Sequence, residues 1–264
     1  MTSTLLWQEE FPLLRLEGSG ARDFLQGQTS ADLREIPEGE LVQSCWLSAT
    51  GRLRGLLEIR IDSTGADVLV LAGDADAITR GFDQVIFPAD RVRISTRGRQ
   101  HRIQTLPAAD TVAWLLPEQG IPHDCSDLPV ADADAHEQWR LLQGWPSSQE
   151  LTGDTNPFEL GLAKRISLSK GCYLGQETMA KLIGQAGVKQ QLRCWSCPSP
   201  LAAAAKLTLD GERAGVITSA LERDGTWLGL ALVRRQCLAS PTLEGPNGEQ
   251  LQIRQPEAFQ DPDA

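Results

Sequence analysis

The amino-acid sequence predicts an α+β body followed by a small all-β barrel. Two observations carry this. The first half of the chain strings hairpin-like strands and short helices in a β–α–β–β–α–β order, without the regular strand–helix alternation of a doubly wound sheet. From about Gln190 the texture changes to short strands broken by tight turns, with Asp210-Gly211 and Asp224-Gly225 as the strongest turn signals. The expected organisation is a body over residues 1–189, with room for two subdomains, and a barrel over residues 190–264.

Taken in order, FPLLRLEG reads as a strand leading into the helix GSGARDFLQGQ, with Ser19 or Gly20 as cap and Gly27 at its end. QSCWLSATG, RLRGLLEIRID and VLVLAG then read as strands joined by turns at Gly51 and Gly65. DADAITRGFDQVIF is a helix with Asp74 at its start, and Pro88 breaks the chain before the strand RVRIS. Arg91, Arg93, Arg97, Arg99 and Arg102 cluster there and read as the charges of a solvated edge strand. A polar, proline-rich connection leads to the helix ADAHEQWRLLQG, which ends at Gly144 with Trp139 and Leu142 on one side. The last residues, QDPDA, read as a loose tail.

Composition excludes several classes. Net charge is -10, from 25 basic against 35 acidic side chains, so broad phosphate-neutralising nucleic-acid binding is not expected. No apolar run is long enough to cross a bilayer, and the N-terminus lacks a basic region followed by an apolar stretch. The expected compartment is the cytoplasm, with no membrane partner. Six cysteines without a secretory signal do not read as a disulfide scaffold. Cys194-Trp195-Ser196-Cys197 has metal or redox spacing, but residues three apart on a strand face opposite ways, and no second such pair completes a zinc site. Gly18-Ser19-Gly20 lacks the third glycine of a dinucleotide fingerprint, and no GK[ST] triplet marks a phosphate loop.

The chemistry concentrates in KGCYLGQE, Lys170 to Glu177. RISLS alternates like the end of a strand, and Gly171 permits a sharp turn. Leu174 to Ile183 has helical texture, with Gly184 as its C-cap. Cys172 is therefore expected at a strand-to-helix turn, near the positive end of a helix and two residues from Lys170, and both features favour thiolate. The alternative is a well-packed turn around a buried, inert cysteine. Tyr173, the only tyrosine in the chain, can stack on a flat ring and hydrogen-bond at its tip. Gln176 and Glu177 add an amide and a carboxylate suited to the edge of a heterocycle.

KGCYLGQE resembles the KGCYxGQE signature of the YgfZ family, whose mitochondrial relatives assist iron–sulfur assembly. Asp23 to Gln28 with Ser30-Ala31-Asp32 resembles the family's FLQGQxTxD element. Arg140, Gly144 and Pro146 resemble its RxxxGxP element, and Asn156 to Leu168 the approach to the signature. Gly215 to Ser219 and Ala231 to Arg234 resemble its C-terminal barrel. Lys181 stands where the family commonly has arginine, which keeps the charge and loses the planar fork.

The resemblance implies the fold of the glycine cleavage T-protein, with a folate-binding α+β body, a C-terminal barrel, and tetrahydrofolate or a related reduced folate in a central cavity. It implies iron–sulfur enzymes or assembly proteins as partners, tRNA-modifying enzymes among them. Cys172 is then the functional thiol with Lys170 tuning it, and Trp46, Gln143, Tyr173, Gln176 and Glu177 are the expected folate contacts. Where T-proteins carry an aspartate pair this chain reads Arg54 and Gly55, and where they carry a glutamate it reads Gln143. Without those acids the expectation is folate binding rather than aminomethyl transfer. Two alternatives stay open: a folate-dependent one-carbon transferase, and a protein-binding scaffold without ligand.

Overall fold

The computed structural model describes residues 4–109, 111–115, 120–183 and 187–262. Two compact units are interleaved along the chain: Met1–His136 with Arg165–Gln176, and Glu137–Lys164 with Glu177–Ala264.

The first unit is built on one antiparallel sheet. Its strands are β1 (Leu5–Glu17), β2 (Leu41–Leu47), β3 (Leu53–Asp62), β4 (Gly65–Gly73), β5 (Arg93–Leu106) and β6 (Val112–Trp114), in the order β2-β3-β4-β1-β5-β6. Side chains alternate between its two faces. One face is apolar: Leu14 and Leu16 of β1, Leu57, Ile59 and Ile61 of β3, and Val68 and Val70 of β4. Two helices, α1 (Ala21–Gln28) and α2 (Ala75–Asp83), bury Phe24, Leu25, Ile78 and Phe82 against it. Each such buried side chain contributes roughly 1.5–3 kcal/mol of transfer free energy. The Asp74 side chain caps α2 by accepting from the N–H groups of Asp76 and Ala77. By contrast α1 starts after Gly20 with no side-chain cap, and it runs through Gly27 to Gln28.

The opposite face of the sheet mixes buried polar side chains with apolar ones such as Leu69, and this corrects the reading of the arginine cluster. β5 lies between β1 and β6, and Arg102, read as solvated, is 2% exposed. Its guanidinium donates to Glu58 from Nε at 2.9 Å and from a terminal nitrogen at 3.1 Å. Arg93 and Arg99, farther up the same strand, do reach solvent and pair with Glu17 and Glu10. The difference follows from length: among the described residues β6 pairs with Arg102 to Gln104, and Arg93 and Arg99 lie outside that pairing.

The second unit contains a closed six-stranded barrel of β7 (Gln190–Cys197), β8 (Lys206–Leu209), β9 (Glu212–Arg223), β10 (Thr226–Arg234), β11 (Thr242–Glu244) and β12 (Gln250–Arg254), in the order β10-β7-β12-β11-β8-β9. Trp195, Ile217, Ala231, Val233, Leu243 and Leu251 belong to its core. Asp210-Gly211 and Asp224-Gly225 form the two-residue hairpin turns, all four residues having φ between 51° and 79°. The helix α3 (Ala133–Gln143) ends at Gly144, as its sequence indicates. Cys194 and Cys197 are both buried on β7. Cys197 joins the barrel core and Cys194 Sγ contacts the Leu141 carbonyl oxygen at 3.0 Å, so they face opposite ways and remain free thiols.

The KGCYLGQE region differs from its sequence reading. Residues 166–169 form no strand, because none of their backbone groups joins a ladder. The helix α4 is shorter than expected, Gln176–Lys181, and Gly184 lies outside the described residues.

Candidate functional site

The connection from α1 to β2 and the turn before α4 are about 140 residues apart in the chain, and a dense set of hydrogen bonds joins them. Ser30 is the knot. Its hydroxyl donates to the Arg165 carbonyl at 2.6 Å and accepts from the Cys45 N–H at 2.9 Å, and its own carbonyl accepts from the Ser167 N–H at 2.9 Å. Ser44 Oγ accepts from the Ala31 N–H, while Gln26 bonds Asp32 and the Leu33 N–H. The two sequence elements FLQGQTSAD and KGCYLGQE are thus one structural feature.

Lys170 completes it. Its side chain is buried, and the ammonium donates to the carbonyls of Thr29 at 2.7 Å and Ala31 at 2.6 Å. It also lies 5.1 Å from the centre of the Tyr173 ring, within cation–π range. Burial pushes the amine down to about 8, with Asp32 opposing that shift and Arg34 adding to it. Tyr173 is buried, its phenol is raised well above the usual tyrosine range by burial and then by Cys45, and its hydroxyl has no hydrogen-bond partner. Gln176 shapes the turn, its amide donating to the carbonyls of Leu168 and Lys170. Gly175 has φ +84° and packs on the Ser48 carbonyl at the β2–β3 hairpin, where a Cβ would not fit. Cys172 is exposed at the crest of this turn, whereas the other five cysteines are buried.

The polar face of the sheet carries a second group of residues that sequence reading missed. Glu58, 1% exposed, accepts from Arg102, from Trp114 Nε1 at 2.7 Å and from Gln43 Nε2 at 3.2 Å. Gln43 Oε1 in turn accepts from Arg165 Nε at 2.8 Å. Arg102 donates to Gln104 Oε1 at 2.9 Å, and the Gln104 amide nitrogen, also buried, has no partner. The signal was available in the sequence: Glu58 is a lone carboxylate inside the apolar run GLLEI, where a buried charge requires a partner. Cys45 belongs to this face, and burial pushes its thiol up to about 12, so it is inert.

The remaining expected contacts are Trp46, Gln143 and Glu177. Trp46 is on the helix-bearing face of β2, its ring 5.6 Å from that of Phe82 at 77°, with its indole N–H unpartnered. Alternation puts it on the opposite side of β2 from Gln43 and Cys45. Gln143 and Glu177 belong to the second unit. The Gln143 amide donates to the Glu257 carboxylate, and Glu177 is exposed in the first turn of α4.

In the second unit, Arg140 ties three sequence elements together. It pairs with Glu137 and with Glu150, donates to the Trp145 carbonyl and reaches Ser219 of β9. Glu150 also accepts from Ser147 and Ser219, and its carboxyl is held below the usual range because these partners outweigh its burial. A cleft of about 430 Å³ nearby is lined by Glu137, Gln149, Leu201, Ala220 and Trp227. Its polar groups are already engaged, Glu137 by Arg140 and Gln149 by Ser219. Among the described residues, no three histidine, cysteine or acidic side chains are grouped to hold a metal ion, and no helix is long and apolar enough to cross a membrane.

No family model matches the chain. A chloroplastic putative transferase of Arabidopsis thaliana is 25% identical over 258 residues, a match covering 79% of this chain and only 60% of that relative. An uncharacterized protein of Haemophilus influenzae is 22% identical over 84% of this chain and 86% of its own length. The tRNA-modifying protein YgfZ of Shigella dysenteriae is 24% identical over 221 residues, or 67% of each chain. Among solved structures, the glycine cleavage system aminomethyltransferase T of Bartonella henselae superposes with a TM-score of 0.74 over 99% of this chain and 88% of its own, at 16% identity. The α+β body and the closed barrel are the fold of the glycine cleavage T protein, and in sequence the chain is distantly similar to these curated relatives, the YgfZ protein among them.

Proposed function

We propose that this protein is a cytoplasmic, reduced-folate-binding accessory factor that supports the assembly or repair of iron–sulfur proteins, tRNA-modifying enzymes among them, with Cys172 as its functional thiol. The observation that carries the folate reading is two of the buried, unpartnered hydrogen-bonding groups in the first unit, the Tyr173 hydroxyl and the Gln104 amide. A buried polar group without a partner costs about 1–3 kcal/mol, so such groups mark a place where a polar ligand belongs. A pterin is flat, carries donors and acceptors on its edge, and fits that requirement. Tyr173 and Gln104 would hold it. The T-protein fold and the name of the Shigella relative support the same reading.

Binding is favoured over aminomethyl transfer. The carboxylate on the polar face, Glu58, is occupied on both oxygens by Arg102, Trp114 and Gln43, leaving it no proton-transfer role. The transferase reading has the Arabidopsis relative's name in its favour. One set of experiments separates the possibilities. Calorimetry should show tetrahydrofolate binding to the purified protein, and incubation with an aminomethyl-lipoyl carrier should yield no methylene-tetrahydrofolate. Turnover would establish the transferase, and no heat with any reduced folate would leave a scaffold. For the thiol, Cys172→Ala should fail to restore iron–sulfur enzyme activity in a strain lacking the gene; full restoration removes Cys172 from the function.

A further inference from the structure

We propose that Lys170 is a positioning residue: its ammonium latches the turn bearing Cys172 and Tyr173 to the connection between α1 and β2, and so fixes the Tyr173 hydroxyl in place for a ligand. Its significance for binding rests on the folate reading above, but the latch itself does not.

The geometry defines the role. The ammonium has three protons, and two go to the carbonyls of Thr29 and Ala31 at 2.7 and 2.6 Å. Those carbonyls belong to a different part of the chain, separated from Lys170 by 141 and 139 residues. The charge also sits 5.1 Å from the Tyr173 ring centre, so the contact that joins the two loops also covers the phenol. With its side chain buried and turned onto carbonyl oxygens, Lys170 acts by holding the turn rather than by tuning the exposed Cys172 thiol. Tyr173 cannot hold itself there, since its hydroxyl has no partner in the protein.

A latch made of ammonium protons depends on pH. The charged groups facing the amine are Asp32 and Arg34 of the α1–β2 connection, which pair with each other at 2.8 Å and largely cancel. Tyr173 faces it from its own turn. Burial lowers the amine to about 8, so between that pH and the ordinary lysine value of about 10.4 the latched state binds fewer protons than an opened one, and rising pH favours the latched state.

The chain has one tyrosine, so tyrosinate absorbance reports this residue alone. In the ligand-free wild type the Tyr173 phenol should ionise well above the ordinary value of about 10, and in folded Lys170→Met close to it. Superimposable titrations of the two folded proteins would overturn the latch. Hydrogen exchange on the wild type provides a second measurement, which stands even where Lys170→Met does not fold. As pH rises from about 7 to about 9, protection of residues 29–32 and 170–173, corrected for intrinsic base catalysis, should rise together by about tenfold, because the opened lysine stays charged while the latched one gives up its proton. Unchanged or falling protection, or a rise in one segment alone, overturns the proposal. Calorimetry with tetrahydrofolate then separates the two readings. A shifted Tyr173 titration with no binding by either protein keeps the latch and sinks the folate site.

Discussion

Each unit contains a buried arginine–glutamate centre, and the two are finished differently. In the second unit Arg140 spans Glu137 and Glu150, and Ser147, Ser219 and the Trp145 carbonyl take up the remaining donors and acceptors around it. In the first unit Arg102 grips Glu58 and orients Gln104, yet the Gln104 amide nitrogen is left buried without a partner. A closed polar network fixes geometry, and an open one stores a cost that something else must relieve. The second centre is a staple between α3 and the barrel, and the first keeps a buried group still to be satisfied.

The largest expected effect comes from breaking either charge pair. Arg140→Met leaves Glu150 fully buried and uncompensated, and should lower unfolding free energy by about 3–5 kcal/mol in urea titrations. It should also flatten the acid limb of stability. The Glu150 carboxyl is held low in the fold, so its contribution is present above the ordinary carboxylate pKa and lost as pH falls through the lowered one. Arg102→Met should destabilise similarly but also weaken tetrahydrofolate binding, which Arg140→Met should leave intact in the folded fraction. Equal effects of both on binding would erase the contrast. A smaller effect, of opposite sign, is expected at Tyr173. Removing an unpartnered buried hydroxyl with Tyr173→Phe should raise ligand-free stability by about 1 kcal/mol while weakening tetrahydrofolate about fivefold, measured by melting and calorimetry. The smallest is at Cys172. Cys172→Ser should change stability by less than about 0.5 kcal/mol, yet abolish the single rapid alkylation that one exposed thiol should give, read by mass spectrometry on the native protein.

The architecture was largely legible because its signals are local. The Asp-Gly pairs force hairpin turns, Asp74 caps α2, and the alternation of apolar residues sets which face each strand buries. The site was legible only as strings. Sequence could single out KGCYLGQE and FLQGQTSAD, but nothing local says that Lys170 reaches the carbonyls of Thr29 and Ala31. Nor could it say that RISLS forms no strand, since the Ser167 N–H and the Arg165 carbonyl bond Ser30 instead. Arg102 looked like one of five surface arginines because its partner, Glu58, lies 44 residues upstream on a non-adjacent strand. Trp46 was expected beside a ligand, but one step of strand alternation carries it to the helices.

The union of Lys170 with Thr29 and Ala31 also bears on how the protein is made. All six strands of the first sheet are complete by residue 114, yet the segment that closes the turn over it ends at Gln176. Domains are built from the N-terminus during synthesis, and contacts between distant residues form late because their loop-closure entropy must first be overcome. On the ribosome the sheet is expected to emerge without its site. The seat of Tyr173 and the crest carrying Cys172 come into being only after some sixty further residues have followed β6. In a nascent chain Cys172 therefore emerges late, when the sheet beneath its turn already exists.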